Sequence, residues 1–563
     1  MNPLHFRIGG VPEHFNYPWQ YALEHDLCAD QPFSYSWTDY PGGTGAMLES
    51  LQKGELDVAL VLTEGAVAGI AQGIPARILG TYVATPLLWG IHVHPDSPRT
   101  SPEQVRGARF AISRYNSGSH LMAFALANAH GWPPEALEFE VVGNFAGAQQ
   151  ALDDGRADVF LWEKYTTKPT VDAGRMKRIG VQPTPWPCFV LLGHEEVVRE
   201  HPRALEALMA VIRQALHAQG ERETIEYISR RYRLQEPDVR EWFGQTRWLC
   251  RNRLARHALD QVQDLLLQTG VLGQKQPAEA LLAPSCLLLE QELSADMYQW
   301  RVESVYRALA ERGKACGPLE LQDLLDLGHL DQYHYHGAEL SRKLVEELAL
   351  NPQKKVLDIG SGVGGTARVL AQVSGCQVVG VEVQAELNEL ADELTHRVGL
   401  SERVHYITGR AEDLPFKDEF DHFISLLVYL HIPDRTQALH KSFKALKPGG
   451  SFVIEDFVLE SSLTEEERSA LEQVVSGASV TDWPAYRAEL EAAGFTDIQA
   501  VSRTAAWRQW TRDRYLAFVA HAERQKAVFG PGLVASRAQF YRTVAGLFEG
   551  GRLGGMRITG RKP

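Results

Sequence analysis

The feature that most constrains the fold is a short apolar segment that ends in an acid and runs into closely spaced glycines. Residues 354–365 read K-K-V-L-D-I-G-S-G-V-G-G, and a helical pattern follows over 366–371. A second apolar segment, 378–381, ends in Glu382. Glycines let a backbone turn sharply and let a ligand approach, and an acid ending the next strand can bind both ribose hydroxyls. We predict the strand–turn–helix unit of a nucleotide-binding α/β domain.

An acidic segment further along the chain helps to identify the nucleotide. Glycine spacing alone does not separate a nicotinamide dinucleotide from other nucleotides. Here the glycines follow Asp358 as D-x-G-x-G-x-G, and residues 409–416 (G-R-A-E-D-L-P-F) follow a third apolar segment. This combination resembles the class I S-adenosylmethionine-dependent methyltransferases, which implies S-adenosylmethionine as cofactor, with three loops holding methionine, ribose and adenine in turn. The resemblance implies these cofactor-binding residues: Asp358, Gly360, Ser361, Gly362, Gly364, Glu382, Val383, Ala411, Glu412 and Ser425.

The C-terminal half carries seven predicted strands with helices between them. The strands are 355–359, 377–381, 404–408, 420–426, 451–456, 498–503 and 556–560. The last two lack a long crossover, which favours an antiparallel pair closing a Rossmann-like seven-stranded sheet. Because ligands of such sheets lie at the carboxyl ends of the strands, the predicted cofactor residues share one crevice.

The end of the fourth strand carries the candidate catalytic histidine. Residues 425–435 read S-L-L-V-Y-L-H-I-P-D-R, and this run resembles the phosphoethanolamine N-methyltransferases and the glycine, sarcosine and dimethylglycine methyltransferases. The resemblance implies that His431 works with a tyrosine from an upstream segment, either Tyr335, which we favour, or Tyr333. Those enzymes carry an acid shortly before the histidine, where this chain has Leu427, so the substrate is left open. A histidine titrating near neutrality can accept a proton from an amine nucleophile.

The N-terminal half has the pattern of two successive α/β lobes. The segment G-E-L-D-V-A at 54–59 is echoed by G-R-A-D-V at 155–159, and S-G-S at 117–119 opens a helix. These pieces resemble the type 2 periplasmic-binding-protein fold, in the branch of sulfonate, nitrate and thiamine-precursor binders; residues 12–15 and 160–169 resemble a cytosolic subgroup. Helix starts and hydroxyls suit an acidic group, and tryptophans could cover an apolar or cationic part. The candidate ligand-binding residues are Gly43, Thr44, Thr63, Ser117, Ser119, Asn144 and Trp162.

Composition excludes several classes of function. The net charge of −14 argues against a general binder of nucleic acid or anionic membranes. The six cysteines form no C-x-x-C pair, so neither a zinc site nor a disulfide scaffold is expected, and a reducing compartment is favoured. No signal-peptide pattern and no apolar run long enough to cross a bilayer is present. We expect a cytoplasmic protein, monomer or homodimer, without a metal.

The domain prediction is a ligand-binding domain over 1–275, a linker over 276–290 and a methyltransferase domain over 291–563, whose first part, 291–350, forms a helical cap. We expect methylation of a small molecule, most simply at the nitrogen of an amine or amino-acid-like metabolite, with a second small ligand in the N-terminal domain. Two alternatives stay open: O- or S-methylation, and a metabolite sensor whose methyltransferase-like domain is regulatory.

Overall fold

The chain divides into two units, Met1–Gln291 and Glu292–Pro563. The computed structural model describes residues 4–289, 295–529 and 531–563. Each unit has its own sheets and its own core, as expected for a chain of this length.

The N-terminal unit is built on two main sheets. Its strands are β1 (Leu4–Gly10), β2 (Phe33–Asp39), β3 (Val58–Leu62), β4 (Ala76–Val83), β5 (Leu88–Val93), β6 (Arg109–Ile112), β7 (Glu138–Val141), β8 (Val159–Glu163), β9 (Lys177–Pro183), β10 (Phe189–His194), β11 (Trp248–Arg251), β12 (Arg253–Ala255) and β13 (Leu287–Leu289). The six-stranded sheet has the order β11-β4-β10-β3-β1-β2, and the five-stranded sheet has the order β7-β6-β8-β5-β9. The chain therefore passes from the first sheet to the second after β4 and returns after β9. The predicted bilobal periplasmic-binding-protein-like fold is confirmed.

Helices cover both sheets of this unit. They are α1 (Tyr17–Glu24), α2 (Gly43–Gln52), α3 (Thr63–Ala71), α4 (Gly118–Ala129), α5 (Phe145–Asp153), α6 (Lys168–Asp172), α7 (Glu195–Glu200), α8 (Pro202–Leu216), α9 (Glu221–Tyr232), α10 (Glu236–Phe243), α11 (Arg256–Gln268) and α12 (Ala278–Leu281). Helix α8 shows the cause of this packing: Leu205, Leu208 and Ile212 recur at helical spacing and all three are buried.

The segment predicted as a linker, 276–290, contains a short helix and a short strand. Residues 278–281 form α12, Leu282 bridges to Ile78 of β4, and β13 pairs in parallel with β12. Apolar side chains explain the difference, because Leu281, Leu282 and Ala283 are all buried against the N-terminal unit. Residue 290, the last of the predicted linker, lies outside the described residues.

The C-terminal unit contains a seven-stranded sheet. Its strands are β14 (Lys355–Ile359), β15 (Gln377–Glu382), β16 (Val404–Thr408), β17 (Phe420–Leu426), β18 (Leu446–Leu459), β19 (Thr496–Ser502) and β20 (Leu553–Arg561). The order is β16-β15-β14-β17-β18-β20-β19, and β20 runs antiparallel to both neighbours. The predicted Rossmann-like sheet and its antiparallel closing pair are confirmed. The strand order reverses between β14 and β17, which opens a crevice at their carboxyl ends.

Helices of the C-terminal unit form the layers around this sheet, a cap and a lid. They are α13 (Ala295–Ala310), α14 (Leu321–Leu325), α15 (Gly337–Glu347), α16 (Gly365–Ser374), α17 (Ala385–Arg397), α18 (Arg435–Ala445), α19 (Glu465–Gln473), α20 (Trp483–Ala493), α21 (Thr504–Ala520), α22 (Ala522–Phe529) and α23 (Pro531–Glu549). The cap precedes β14 and consists of α13 to α15, whereas residues 291–294 of the predicted cap lie outside the described part. The lid consists of α21 to α23, inserted between β19 and β20.

Two kinds of feature are absent from the described residues. No described helix combines the length and the apolar character that a membrane span needs. Within the same residues, no group of three or more histidine, cysteine, aspartate or glutamate side chains is arranged to hold a metal ion.

Candidate active site

A cavity of about 460 Å³ lies at the carboxyl ends of the strands of the C-terminal unit. Its walls come from the loops after β14, β15, β16 and β17, from the cap and from the lid. The predicted residues that line it are Tyr333, Tyr335, Asp358, Gly360, Ser361, Gly362, Glu382, Val383, Ala411, Glu412 and His431. Residues far apart in the sequence therefore share one cavity.

The glycine-rich loop after β14 needs glycine for two separate reasons. Gly360 has a φ of +74°, and a Cβ there would lie 2.3 Å from the Val428 side chain. Gly364 has a φ of +78°, and its Cβ would lie 2.1 Å from the Tyr406 hydroxyl. Both positions combine a left-handed backbone with a close neighbour, so a larger residue would displace the loop.

Glu382 ends β15 and organises the loop beside it. One carboxylate oxygen accepts a hydrogen bond from the Gly362 amide at 3.0 Å, and the other accepts from the Gln384 amide at 3.0 Å. Burial raises the pKa of Glu382, while these amides and the charge of Arg301 act in the opposite direction. Each carboxylate oxygen has further acceptor capacity, which two neighbouring hydroxyls of a ligand could fill.

Two buried polar atoms of this loop have no partner among the described residues. They are Oδ2 of Asp358 and Oγ of Ser361. Burial raises the pKa of Asp358 to about 7, and the negative charge of Glu382 adds to the shift. Because a buried polar group without a partner costs about 1–3 kcal/mol, such atoms in a cavity wall indicate a place for ligand donors and acceptors.

The loop after β16 supplies the third part of the wall. Ala411 and Glu412 are buried there, and the Glu412 carboxylate accepts a hydrogen bond from the Arg410 guanidinium at 2.7 Å. The Gln437 side chain donates to the Glu412 carbonyl at 3.2 Å and ties the loop to α18. This loop therefore has one internal ion pair and one hydrogen bond to α18.

His431 lies in the turn after β17 and faces the cavity. Its Nδ1 lies 2.9 Å from the Ser476 carbonyl oxygen, and since a carbonyl can only accept, Nδ1 carries the hydrogen. Burial lowers the pKa of His431, with the Ser476 carbonyl acting against the shift. The neutral imidazole therefore keeps the lone pair of Nε2 for a proton from another molecule.

The two candidate tyrosines lie in the cap on the same cavity. Burial raises the pKa of both phenols, so both hydroxyls stay protonated near neutral pH. The Tyr335 ring packs against Trp510 with centroids 4.4 Å apart, and the Arg301 guanidinium lies 3.6 Å from the Tyr333 ring centroid. No contact found among the described residues joins either hydroxyl to His431.

In the N-terminal unit the predicted ligand residues have internal roles. Ser117 caps α4 by accepting from the His120 amide, and Asn144 caps α5 by accepting from the Gly147 amide. Thr63 is fully buried and its hydroxyl donates to the Pro187 carbonyl. Such capping is the commonest use of these residue types at helix starts.

The other four predicted residues are placed as follows. Thr44 accepts from the Leu62 amide at 3.3 Å, and Ser119 accepts from the Ser113 amide at 3.1 Å. Gly43 begins α2 with a φ of +69°. The half-buried Trp162 ring lies 5.3 Å from the Phe160 ring. All seven residues stay predictions as ligand contacts.

Comparison with known families matches each unit. Residues 357–454 match the family model described as a methyltransferase domain, and residues 89–181 match the model described as Ca3427-like PBP. The C-terminal unit contains a methyltransferase domain. The N-terminal unit contains a Ca3427-like periplasmic-binding-protein domain.

Curated relatives match part of the chain. Methyltransferase GfsG of Streptomyces halstedii is 32% identical over 148 residues, which is 26% of this chain and 53% of that protein. Phosphoethanolamine N-methyltransferase 1 of Arabidopsis thaliana is 33% identical over 174 residues, 31% of this chain and 35% of that protein. The matches thus span about half or less of these relatives. Among solved structures, the Candida albicans CA3427 gene product is 25% identical with a TM-score of 0.44, covering 52% of this chain and 99% of that chain.

Two of the predicted cofactor residues do not line the cavity and stay predictions as cofactor contacts. Gly364 does not line the cavity, because the Tyr406 hydroxyl fills the space above it. Ser425 is fully buried in β17 and does not line the cavity either. Gly364 thus serves the turn into α16, and Ser425 lies within the sheet.

Of the wall that the lid contributes, the sequence indicated only Trp510. We define the lid wall as the residues of α21 and α23 that line the cavity: Trp510, Thr511, Arg514, Phe540, Tyr541 and Val544. These residues lie on two helices that carry no motif, and only the aromatic spacing of Trp507 and Trp510 offered a signal. Trp507 is fully buried behind the wall. Tyr429 is also buried, and its hydroxyl forms a hydrogen bond with the Ser442 hydroxyl.

A buried ion pair holds the cap of the methyltransferase domain to α16. Asp331 accepts from Arg368 at 2.5 Å, and both side chains are fully buried. Next to it, His334 contacts Thr366 at 2.9 Å and Gln332 at 3.1 Å. The cap is therefore fixed to the domain through polar contacts that water does not reach.

Replacing Asp331 with alanine is expected to lower the free energy of unfolding of the C-terminal unit by about 3–5 kcal/mol. Removal of one partner leaves the Arg368 guanidinium charged and buried. Chemical denaturation followed by fluorescence measures the change. Glu339→Ala, which removes an exposed pair with Lys343 on α15, serves as control and should have little effect. A loss below 1 kcal/mol in the Asp331 variant would contradict this reading of the pair.

Proposed function

We propose that the protein transfers a methyl group from S-adenosylmethionine to a nitrogen atom of a small-molecule acceptor. The observation that carries the proposal is that one cavity joins the glycine-rich loop, Glu382 and His431. The phosphoethanolamine N-methyltransferase relationship supports nitrogen as the acceptor atom.

The residues present fit the cofactor. The glycine-rich loop leaves room where side chains would project, and Asp358 and Ser361 offer unpartnered atoms for a polar chain. Glu382 suits the ribose hydroxyls, and the loop of Ala411 and Glu412 suits the base. Bound S-adenosylmethionine supplies a methyl group already activated by a sulfonium. The protein then has to hold the acceptor nitrogen within about 3–3.5 Å of the methyl carbon and accept its proton.

His431 is the proposed proton acceptor. The Ser476 carbonyl fixes Nδ1 as the protonated nitrogen, so Nε2 can receive a proton from the acceptor nitrogen. Tyr335 and Tyr333, kept protonated by burial, act as hydrogen-bond donors that orient the acceptor. Aromatic rings of the cap and lid exclude water and can stabilise positive charge on a methylated nitrogen.

The test combines cofactor binding with product formation by the full chain. Calorimetry with S-adenosylmethionine should give measurable heat, and a panel of amines and amino acids should release S-adenosylhomocysteine with at least one member. Matched hydroxyl and thiol compounds in the panel separate nitrogen from oxygen and sulfur acceptors. No heat with the cofactor would favour the non-enzymatic sensor instead.

Cofactor affinity is expected to fall about tenfold between pH 8 and pH 6. Asp358, with a pKa of about 7 through burial and the neighbouring Glu382, is mostly protonated at pH 6 and ionised at pH 8. A positively charged cofactor favours the ionised form, so binding releases a proton below pH 7. Calorimetry at both pH values measures the dependence. Asp358→Asn should remove most of it and exposed Asp413→Asn should keep it, whereas an unchanged dependence in Asp358→Asn would exclude this cause.

The same carboxyl sets a pH dependence of stability in the cofactor-free protein. Its pKa is raised on folding, so its contribution to stability is complete below about pH 4 and is lost as the pH rises through 7.

The N-terminal unit is proposed to bind a second small ligand in the manner of its family. The support is the match to a binding-protein family and the two-sheet architecture. The protein is further proposed to be cytoplasmic, a monomer or homodimer, and without nucleic-acid partners. All six cysteines lie within the described residues and are free, which fits a reducing compartment. Light scattering and a binding screen with the full chain test these points.

A further inference from the structure

The acceptor end of the cavity has a chemical character that selects a class of substrate. This inference rests on the proposed function and concerns the lid wall defined above. The wall is largely apolar: Trp510, Phe540 and Val544 face the cavity together with Leu427 and Phe457 from the strand ends. Such a surface binds an apolar body and gives nothing to a small, fully hydrated molecule.

One cation interrupts this apolar surface. Arg514 of α21 lines the cavity, and in the part of the chain that the structure describes no carboxylate lies within ion-pair distance of it. Its Nη2 donates to the Tyr541 hydroxyl at 3.3 Å, and its guanidinium carbon lies 5.2 Å from the Tyr541 ring centroid. A half-buried guanidinium in an apolar wall is costly unless an anion pairs with it.

Two tyrosines, Tyr541 and Tyr333, line the cavity together with this cation. The Tyr333 hydroxyl is buried and has no hydrogen-bond partner among the described residues. Burial raises the pKa of Tyr333, while the charges of Arg301, Arg537 and Arg514 oppose the shift. A protonated phenol without a partner and a guanidinium with spare N–H groups are both donors, and an anion accepts from both.

The carboxylates of the cavity lie outside the lid wall. Of the described residues that line it, the acids are Asp331, Asp358, Glu382 and Glu412. Asp331 pairs with Arg368, Glu412 pairs with Arg410, and Glu382 accepts from two loop amides. None of these four belongs to the lid wall, so an acceptor there meets donors and no negative charge.

We propose that the methyl acceptor is an amphipathic acid, with an apolar body against the lid wall and an anionic group bound by Arg514, Tyr541 and Tyr333. The nucleophile of this acid lies at the opposite side of the apolar body, toward His431. The anion is a carboxylate or a phosphate, which have the same partners, and the apolar wall excludes acceptors that are small and polar throughout.

The experiment measures binding, not turnover. Full-length protein is first titrated with S-adenosylhomocysteine and then, when saturated, with probes that share a phenyl body and differ in end group: phenylacetate, phenyl phosphate, phenylacetamide and phenethylamine. We expect at least one of the two anions to bind at least tenfold more tightly than the neutral amide and the cationic amine. Comparison of phenylacetate with phenyl phosphate shows which anion the site prefers. Acetate carries the carboxylate without the apolar body, and we expect it to bind more weakly than phenylacetate.

Variants locate the site. Arg514→Met should abolish the preference for the anion, and Tyr541→Phe should reduce it severalfold. Arg512→Met, a change at an exposed arginine of the same helix that faces Glu549, is the matched control and should leave the preference unchanged. Three results would each overturn the inference. They are binding of phenethylamine as tight as that of the anions or tighter, a preference for the anion that persists in Arg514→Met, and no binding of either anion at millimolar concentration. Failure to bind S-adenosylhomocysteine would instead overturn the proposed function, so the two outcomes are distinct.

Discussion

Replacing Glu382 with alanine is expected to weaken binding of S-adenosylmethionine by about 100-fold or more. In the proposed complex, the variant lacks two charge-assisted hydrogen bonds from Glu382 to the ribose, each contributing about 1.5–3 kcal/mol. It also loses the acceptor for the Gly362 and Gln384 amides, so the glycine-rich loop is no longer held against β15. Calorimetric titration of the full chain measures the change in dissociation constant.

The variant set separates the ribose contact from the support of the loop. Glu382→Gln keeps an oxygen that can accept from the Gly362 amide but removes the charge, and we expect an intermediate loss of affinity. Glu402→Ala, at an exposed acid of the same domain, should bind the cofactor as the unaltered chain does. If Glu382→Ala kept full affinity, the cavity would not hold the nucleoside in the manner proposed.

Much of the C-terminal fold could be predicted because local pattern and topology agree there. Each of the seven predicted strands matches an observed strand, and the acid of β15 and the glycine-rich loop meet as the parallel sheet requires. Such agreement is expected where buried strands are continuous apolar runs. The sequence was equally informative for the two lobes of the N-terminal unit, whose strands alternate with helices.

The sequence was less informative where position depends on tertiary packing. Residues 287–289 form β13, whereas the sequence predicts a linker over 276–290, because pairing with β12 decides their conformation. Arg514 and Tyr541 lie 27 residues apart on two lid helices, and no local spacing indicates that they meet. In the N-terminal unit, Ser117 and Asn144 are predicted ligand residues because they stand at helix starts, and their side chains cap those helices.

Replacing His431 with asparagine is expected to lower the turnover number by about 10²–10⁴-fold with little change in cofactor affinity. Asparagine can still donate to the Ser476 carbonyl, so the turn after β17 keeps its hydrogen bond, but no atom replaces the basic Nε2. Steady-state kinetics with the acceptor found in the screen, beside calorimetry with S-adenosylmethionine, measures both quantities. His440→Ala, at an exposed histidine of α18, is the control and should keep full turnover.

The pH profile distinguishes a proton acceptor from a residue that only packs. Burial lowers the pKa of His431 below its ordinary value, so the imidazole is neutral and active at neutral pH and becomes protonated and inactive only as the pH falls through that lowered value. Titration of His431 should therefore leave turnover constant above that pKa. Below it, turnover should fall with falling pH as expected for the uptake of one proton. The residual activity of His431→Asn should lack this acidic limb. If the variant kept both the acidic limb and full turnover, another group would have to accept the proton. Tyr333 and Tyr335 could not replace His431 in that role, because burial keeps both hydroxyls protonated.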